Sequence, residues 1–114
     1  MKKLVALTLT LVLLLTSCFI LTGCPDNNDG KFTVGVCQLV QHVALDAATQ
    51  GFKDALVEEF GEDVAFDEQN AAGSNDTAAT IVGTFVDKKV DLIMANATGA
   101  LQAAANATTE IPIL

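Results

Sequence analysis

From Phe32 onward the sequence alternates two hydrophobic periods, and that alternation narrows the possible folds more than any other feature. Phe32-Thr33-Val34-Gly35-Val36-Cys37 is β-branched and apolar, the pattern of a buried strand. Gln38 to Val43 reads as a loop. Apolar or small residues then recur at Ala44, Ala48, Phe52, Leu56 and Phe60, an amphipathic helix that Gly61 is placed to stop. Val64-Ala65-Phe66 with Asp67 alternates as a second strand, and Asn70-Ala71-Ala72-Gly73-Ser74 is a loop. Asn75 or Asp76 is expected to cap a second helix, with Ala78, Ile81, Val82, Phe85 and Val86 on one face. Lys88 and Lys89 fall in its last turn, where the helix dipole favours cations. Val90 to Ala95 gives a third strand, and Asn96-Ala97-Thr98-Gly99 turns into an alanine-rich helix of about eight residues. Ile111 to Leu114 begins a fourth strand. The order β-α-β-α-β-α-β with short loops predicts an α/β fold, a parallel sheet between two helical layers.

The first 23 residues stand outside this pattern. Lys2-Lys3 precedes a leucine-rich stretch with no charge until Asp26, closing in Leu21-Thr22-Gly23-Cys24. A basic start, an apolar centre and a small-residue site form an export signal, and a cysteine directly after it is the bacterial lipoprotein pattern. Cleavage would leave Cys24 as the first residue, its thiol carrying a diacylglycerol. A retained transmembrane helix is the rival, because Leu4 to Leu21 is nearly long enough to span. The break at Thr16-Ser17-Cys18 and the ending in Gly23 and Pro25 count against it. Leu15-Thr16-Ser17-Cys18 has the same form as the Cys24 site, but cleavage there would expose Phe19-Ile20-Leu21 beside the anchor. Cleavage at Cys24 instead leaves the polar tether Pro25 to Gly30. The expected division is a signal over 1–23, an acylated tether over 24–31 and a domain over 32–114, held on the outer face of the bacterial cytoplasmic membrane.

Without the signal, four lysines face fourteen acidic residues, and there is no arginine. So acidic a chain argues against nucleic acid, and against anionic membrane as an electrostatic partner. With Cys18 removed and Cys24 acylated, Cys37 is alone, so no intrachain disulfide and no Cys-x-x-Cys metal site is expected. Cys37 reads as a small buried hydrophobe, and a nucleophile paired with His42 is the lesser alternative. The run Ile111-Pro112-Ile113-Leu114 has no turn or cap after it, so the chain is expected to be the N-terminal part of a longer protein.

In an open parallel sheet ligands bind beyond the carboxyl ends of the strands. Three loops fall there, spanning 38–43, 70–75 and 96–100, and all are polar and neutral. They supply Gln38, Gln41, His42, Asn70, Ser74, Asn96, Thr98 and Gly99 as candidate ligand contacts. None holds a carboxylate pair, a Gly-x-Gly-x-x-Gly run or a Walker lysine, so catalytic residues, metals and cofactors are not expected. Neutral donors beside helix N-termini suit a small anionic or zwitterionic ligand. Plainer roles stay open: Asn70 and Ser74 as turn residues, Thr98 as a helix cap, His42 as a solvated residue or part of the first helix's start.

Several segments resemble one known family. Gln38-Leu39-Val40-Gln41-His42-Val43-Ala44-Leu45-Asp46, then Gly51-Phe52-Lys53-Asp54, resembles the opening of the tryptophan/tyrosine ABC transporter substrate-binding proteins. Gln69-Asn70-Ala71-Ala72-Gly73, Lys89-Val90-Asp91-Leu92-Ile93-Met94-Ala95 and the stretch from Ala97 to Thr108 continue the likeness, which ends in Ile111-Pro112-Ile113-Leu114. The resemblance implies a type I, flavodoxin-like periplasmic-binding-protein lobe, of which this chain forms most of the first sheet. It implies a lipid-anchored component of an ABC importer that hands an aromatic amino acid or similar solute to a permease driven by an ATPase. Gln38 and His42, Asn70 and Thr98 would lie in the three ligand loops. The family often has Glu-His-Pro where this chain has Gln41-His42-Val43, Gln at position 72 and Pro at position 99. The change at position 41 removes a carboxylate available to a ligand ammonium. Two other functions fit such a fold: a sensory lipoprotein that signals ligand occupancy to a receptor, and an extracytoplasmic enzyme, which would need a base or nucleophile these loops do not offer.

Overall fold

The computed structural model describes residues 30–114. The expected signal, Cys24 and most of the tether lie outside the described residues. Three parallel strands form the sheet: β1 (Phe32–Gln38), β2 (Val64–Asn70) and β3 (Leu92–Asn96), in the order β2-β1-β3. Val34 of β1 faces Phe66 of β2 on one side and Leu92 of β3 on the other. β1 is therefore central, which accounts for its unbroken apolar run, buried from Val34 to Gln38. After β3 the chain returns beside it. Ile113 makes a single parallel bridge to Ile93, with the Leu114 amide donating to the Ile93 carbonyl at 2.9 Å. The expected fourth strand is present there as one bridge.

Helix α1 (Val43–Phe60) covers one face, and α2 (Asn75–Asp87) and α3 (Thr98–Ala107) cover the other. Alternation along β1 sends Val34, Val36 and Gln38 toward α1, and Gly35 and Cys37 toward α2 and α3. The main core is on the α2–α3 side, where Cys37, Ala78, Val82, Phe85, Ile93, Ala100 and Ala104 are fully buried. The face expected for α2 is the one observed. The stripe expected for α1 holds in part: Phe52 and Leu56 turn inward as expected, but Ala44 and Ala48 are exposed, and Leu45 and Thr49 turn inward in the first half of the helix. Thr49 centres that stripe because its hydroxyl finds buried partners, which a purely apolar pattern does not register. Phe60 keeps one face covered by stacking on Phe32 at 5.6 Å between ring centres.

Local chemistry sets the boundaries. Gly61, at φ 59°, ends α1 with its amide donating to the Val57 carbonyl, as the sequence predicts. The cap of α2 is Ser74, not Asn75 or Asp76. Ser74 is extended, and its Oγ accepts from the Thr77 amide at 3.2 Å. α2 ends at Asp87, so Lys88 and Lys89 follow the helix instead of filling its last turn, and Lys89 reverses the chain at φ 54°.

β2 is an edge among the described residues. Two adjacent carboxylates on it serve opposite faces: Asp67 pairs with Lys88, and Glu68 with Lys53, each at 2.6 Å. No described helix is long and apolar enough to cross a membrane.

Candidate functional site

The carboxyl ends of the three strands lie side by side, and backbone hydrogen bonds join the loops that leave them. The Leu39 amide donates to the Asn96 carbonyl at 3.1 Å, linking the first loop to the third. Amides of Ala71 and Gly73 donate to the carbonyls of Gln38 and Leu39, at 2.9 and 2.7 Å, linking the second loop to the first. The expected convergence of the three loops is thus built into the main chain.

Beneath them the side chains of Gln38, Thr49 and Asn96 are buried together. Asn96 Nδ2 donates to the Leu45 carbonyl and to Thr49 Oγ1, both at 2.9 Å. Thr49 Oγ1 donates to Gln38 Oε1 at 2.8 Å. Gln38 Nε2 donates to the Val40 carbonyl at 3.0 Å and to Asp46 Oδ1 at 2.6 Å. The amide donors of Gln38 and Asn96 are therefore already engaged inside the protein. No buried side-chain polar atom among the described residues lacks a partner.

The other candidates are nearer solvent. Gln41 and His42 are exposed, and His42 is the N-cap of α1, its Nδ1 accepting from the Ala44 amide at 3.2 Å. The open reading of His42 as part of the helix start is the one the geometry takes up. Asn70 Oδ1 accepts from the Ala72 amide at 2.8 Å, an Asx turn that leads into Ala72 and Gly73, both at positive φ. Its NH2 group stays available to donate. Ser74 caps α2, as described above.

The third loop departs most from expectation. Ala97, not Thr98, occupies the cap position of α3, and it offers no side-chain acceptor. Thr98 is the first helical residue and is exposed. Ala97 sits at φ 88°, ψ 157°, a region that residues with a Cβ seldom enter. Gly99 marks a close approach: a Cβ there would overlap Asn75 Oδ1 and lie 3.0 Å from Leu39 Cδ2. This glycine lets the starts of α2 and α3 meet over the first loop.

Among the described residues, Cys37 and His42 lie on different sides of the sheet. Cys37 is buried on the α2–α3 side, where loss of hydration pushes its thiol above the ordinary value, while His42 is exposed at the start of the helix on the opposite face. The described residues contain no group of three His, Cys, Asp or Glu side chains that could hold a metal.

Sequence reasoning missed Leu39, Asp46, Thr49 and Asn75. Only Thr49 carried a local signal, as a polar residue in the apolar row Leu45, Phe52, Leu56.

A family model described as ABC transporter substrate binding protein matches residues 33–114. The chain is 38% identical, over 126 aligned positions, to a tyrosine-binding protein of Clostridioides difficile (strain R20291). That alignment takes in 99% of this chain and 36% of the relative. Among solved structures, one similar protein is a substrate-binding protein with adhesive properties from Clostridium difficile, in its ligand-free, open form. It is 45% identical with a TM-score of 0.69, covering 72% of this chain and 29% of that one. Another is an ABC domain from Streptococcus pneumonia in complex with L-Trp, 34% identical with a TM-score of 0.69, covering 73% and 29%. The chain spans about a third of the length of the curated relative it matches.

Proposed function

The chain belongs to the family of ABC transporter substrate-binding proteins, and from that premise we propose that it carries one side of a capture site for an aromatic amino acid. The observation that carries this reading is the start of α3. Its first amides receive no side-chain cap from Ala97, the exposed Thr98 hydroxyl stands beside them, and two further polar loops are tied to it. A ligand carboxylate would accept from Thr98 Oγ1 and from the amides around Gly99, with the helix dipole adding to the attraction. Gln41, His42 and the Asn70 NH2 supply neutral hydrogen-bonding groups along the other two loops. Ser74 acts at the rim through the helix it caps. Gln38 and Asn96 act from behind, holding the loops.

In the whole protein a second lobe would close over the ligand, so affinity rests on contacts made only when both lobes meet it. The intact protein would pass its solute to a permease driven by an ATPase, with no chemical step and no cofactor. Acylation of Cys24 would hold it on the outer face of the membrane, and stable anchoring needs two acyl chains or more. Two relatives are a tyrosine-binding protein and a domain in complex with L-Trp, which supports the ligand class.

Calorimetric titration of the intact protein, expressed without residues 1–23, tests the proposal. Saturable binding of L-tryptophan or L-tyrosine is expected. Binding of a sugar or another solute, with no heat from any amino acid, would overturn it.

A further inference from the structure

We infer that Thr49 is a positioning residue: the hydrogen-bonded chain Asn96–Thr49–Gln38–Asp46 fixes the first and third loops against each other before any ligand arrives, and the main-chain bonds of Ala71 and Gly73 hold the second loop to them. The inference rests on the reading of those loops as the capture site.

The argument begins with where polarity is buried. Among the described residues, the buried polar side chains are Gln38, Thr49 and Asn96, and Thr49 is hydrogen-bonded to both of the others. They come from the last residue of β1, the second turn of α1 and the last residue of β3. A core held together for stability alone would use apolar side chains here, because burying an amide removes it from water and returns little net free energy even when it is paired. What a fully paired network adds is direction, since each donor accepts only one arrangement of its neighbours.

That direction runs through a single hydroxyl. Thr49 Oγ1 accepts from Asn96 and donates to Gln38, so its one proton and its lone pairs join β3 to β1 through α1. Asn96 also holds the Leu45 carbonyl, which ties the first turn of α1 to β3. Gln38 holds the Val40 carbonyl inside the first loop and the carboxylate of Asp46 on α1. The main chain above repeats the connection through Leu39 to Asn96 and Ala71 to Gln38. Thr49 itself is 3% exposed and lies below the loop surface, so it acts through its neighbours and not on a ligand.

Thr49→Val keeps the shape and removes the hydroxyl; Thr49→Ser keeps the hydroxyl and loses a methyl. In the intact protein, hydrogen exchange is read at two sets of amides. The first set is Leu39, Ala71 and Gly73, which bond between loops, and the second is Val34 and Val36 in the central strand. Thr49→Val is expected to speed exchange at the first set about tenfold, the scale of one buried amide left short of a partner. The second set should stay within about twofold, and Thr49→Ser should match the wild type at both. Asp46→Ala, at the exposed end of the chain, should speed the first set by a few-fold and serves if Thr49→Val does not fold. Equal acceleration at both sets, or none at either, would overturn the inference. Affinity for L-tryptophan is measured on the same variants, and a tenfold loss for Thr49→Val, restored in Thr49→Ser, is expected. If the wild type binds no aromatic amino acid, the proposed function falls and the exchange pattern decides the inference alone.

Discussion

Gly35 and Phe85 pack so closely that a Cβ on Gly35 would lie 2.6 Å from two carbons of the Phe85 ring. Both residues are fully enclosed at the centre of the α2–α3 side, so neither the ring nor the strand has room to retreat. Gly35→Ala is expected to destabilise the protein by about 2–3 kcal/mol, read by chemical denaturation. Adding Phe85→Leu should recover part of that loss, a coupling that two independent sites would not show.

Ala97 offers the opposite case. Its φ of 88° and ψ of 157° suit glycine, so Ala97→Gly should raise stability by about 1 kcal/mol, strain relief outweighing the added freedom of the unfolded chain. Ala97→Val should lower it. Denaturant midpoints of the three proteins give the order directly.

His42 combines a cap with an exposed ring. His42→Ala removes the acceptor for the Ala44 amide and should cost about 1 kcal/mol, whereas His42→Asn keeps a capping oxygen and should stay within about 0.5 kcal/mol of the wild type. Weaker ligand binding by His42→Asn at unchanged stability is expected if the ring also meets the ligand. Unchanged affinity would restrict His42 to capping.

Asp67 should show itself in acid. Partial burial pushes its carboxyl up, but hydrogen bonds from Lys88 and Gln69 and the charge of Lys88 outweigh that and hold it below the ordinary value of 3.8. A carboxyl with a lower pKa in the folded chain adds stability above its unfolded pKa and loses it as pH falls through the folded one. Lys88 is 56% exposed, so solvent weakens the pair, and Asp67→Asn should cost less than about 1 kcal/mol at neutral pH. That difference should begin to shrink on acidification through about pH 4 and vanish only once the pH passes below the lower pKa of the folded carboxyl, as followed by thermal melts across the range.

Legibility in the sequence follows how local each cause is. β1 and α2 stand out because one side of each, or both, is filled with apolar residues at the right period. The three loops are legible because polar neutral residues follow each strand. The first half of the α1 face is not, because Thr49 is buried by Gln38, eleven residues away, and by Asn96, forty-seven away. The α2 cap is ambiguous for a different reason: Ser74, Asn75 and Asp76 are all good capping types, and only the extended backbone at Ser74 chooses among them. Nothing about an alanine announces a positive φ at position 97. Nor does a glycine at 99 disclose that it makes room for Asn75 and Leu39.

The paired carboxylates of β2 bear on how the protein behaves in company. Asp67 and Glu68 alternate onto opposite faces of this edge strand, and each is paired with a lysine. A strand from another molecule could not add there without crowding fixed charge above and below the new backbone hydrogen bonds. Among the described residues, that margin is therefore a poor template for stacking copies into fibres.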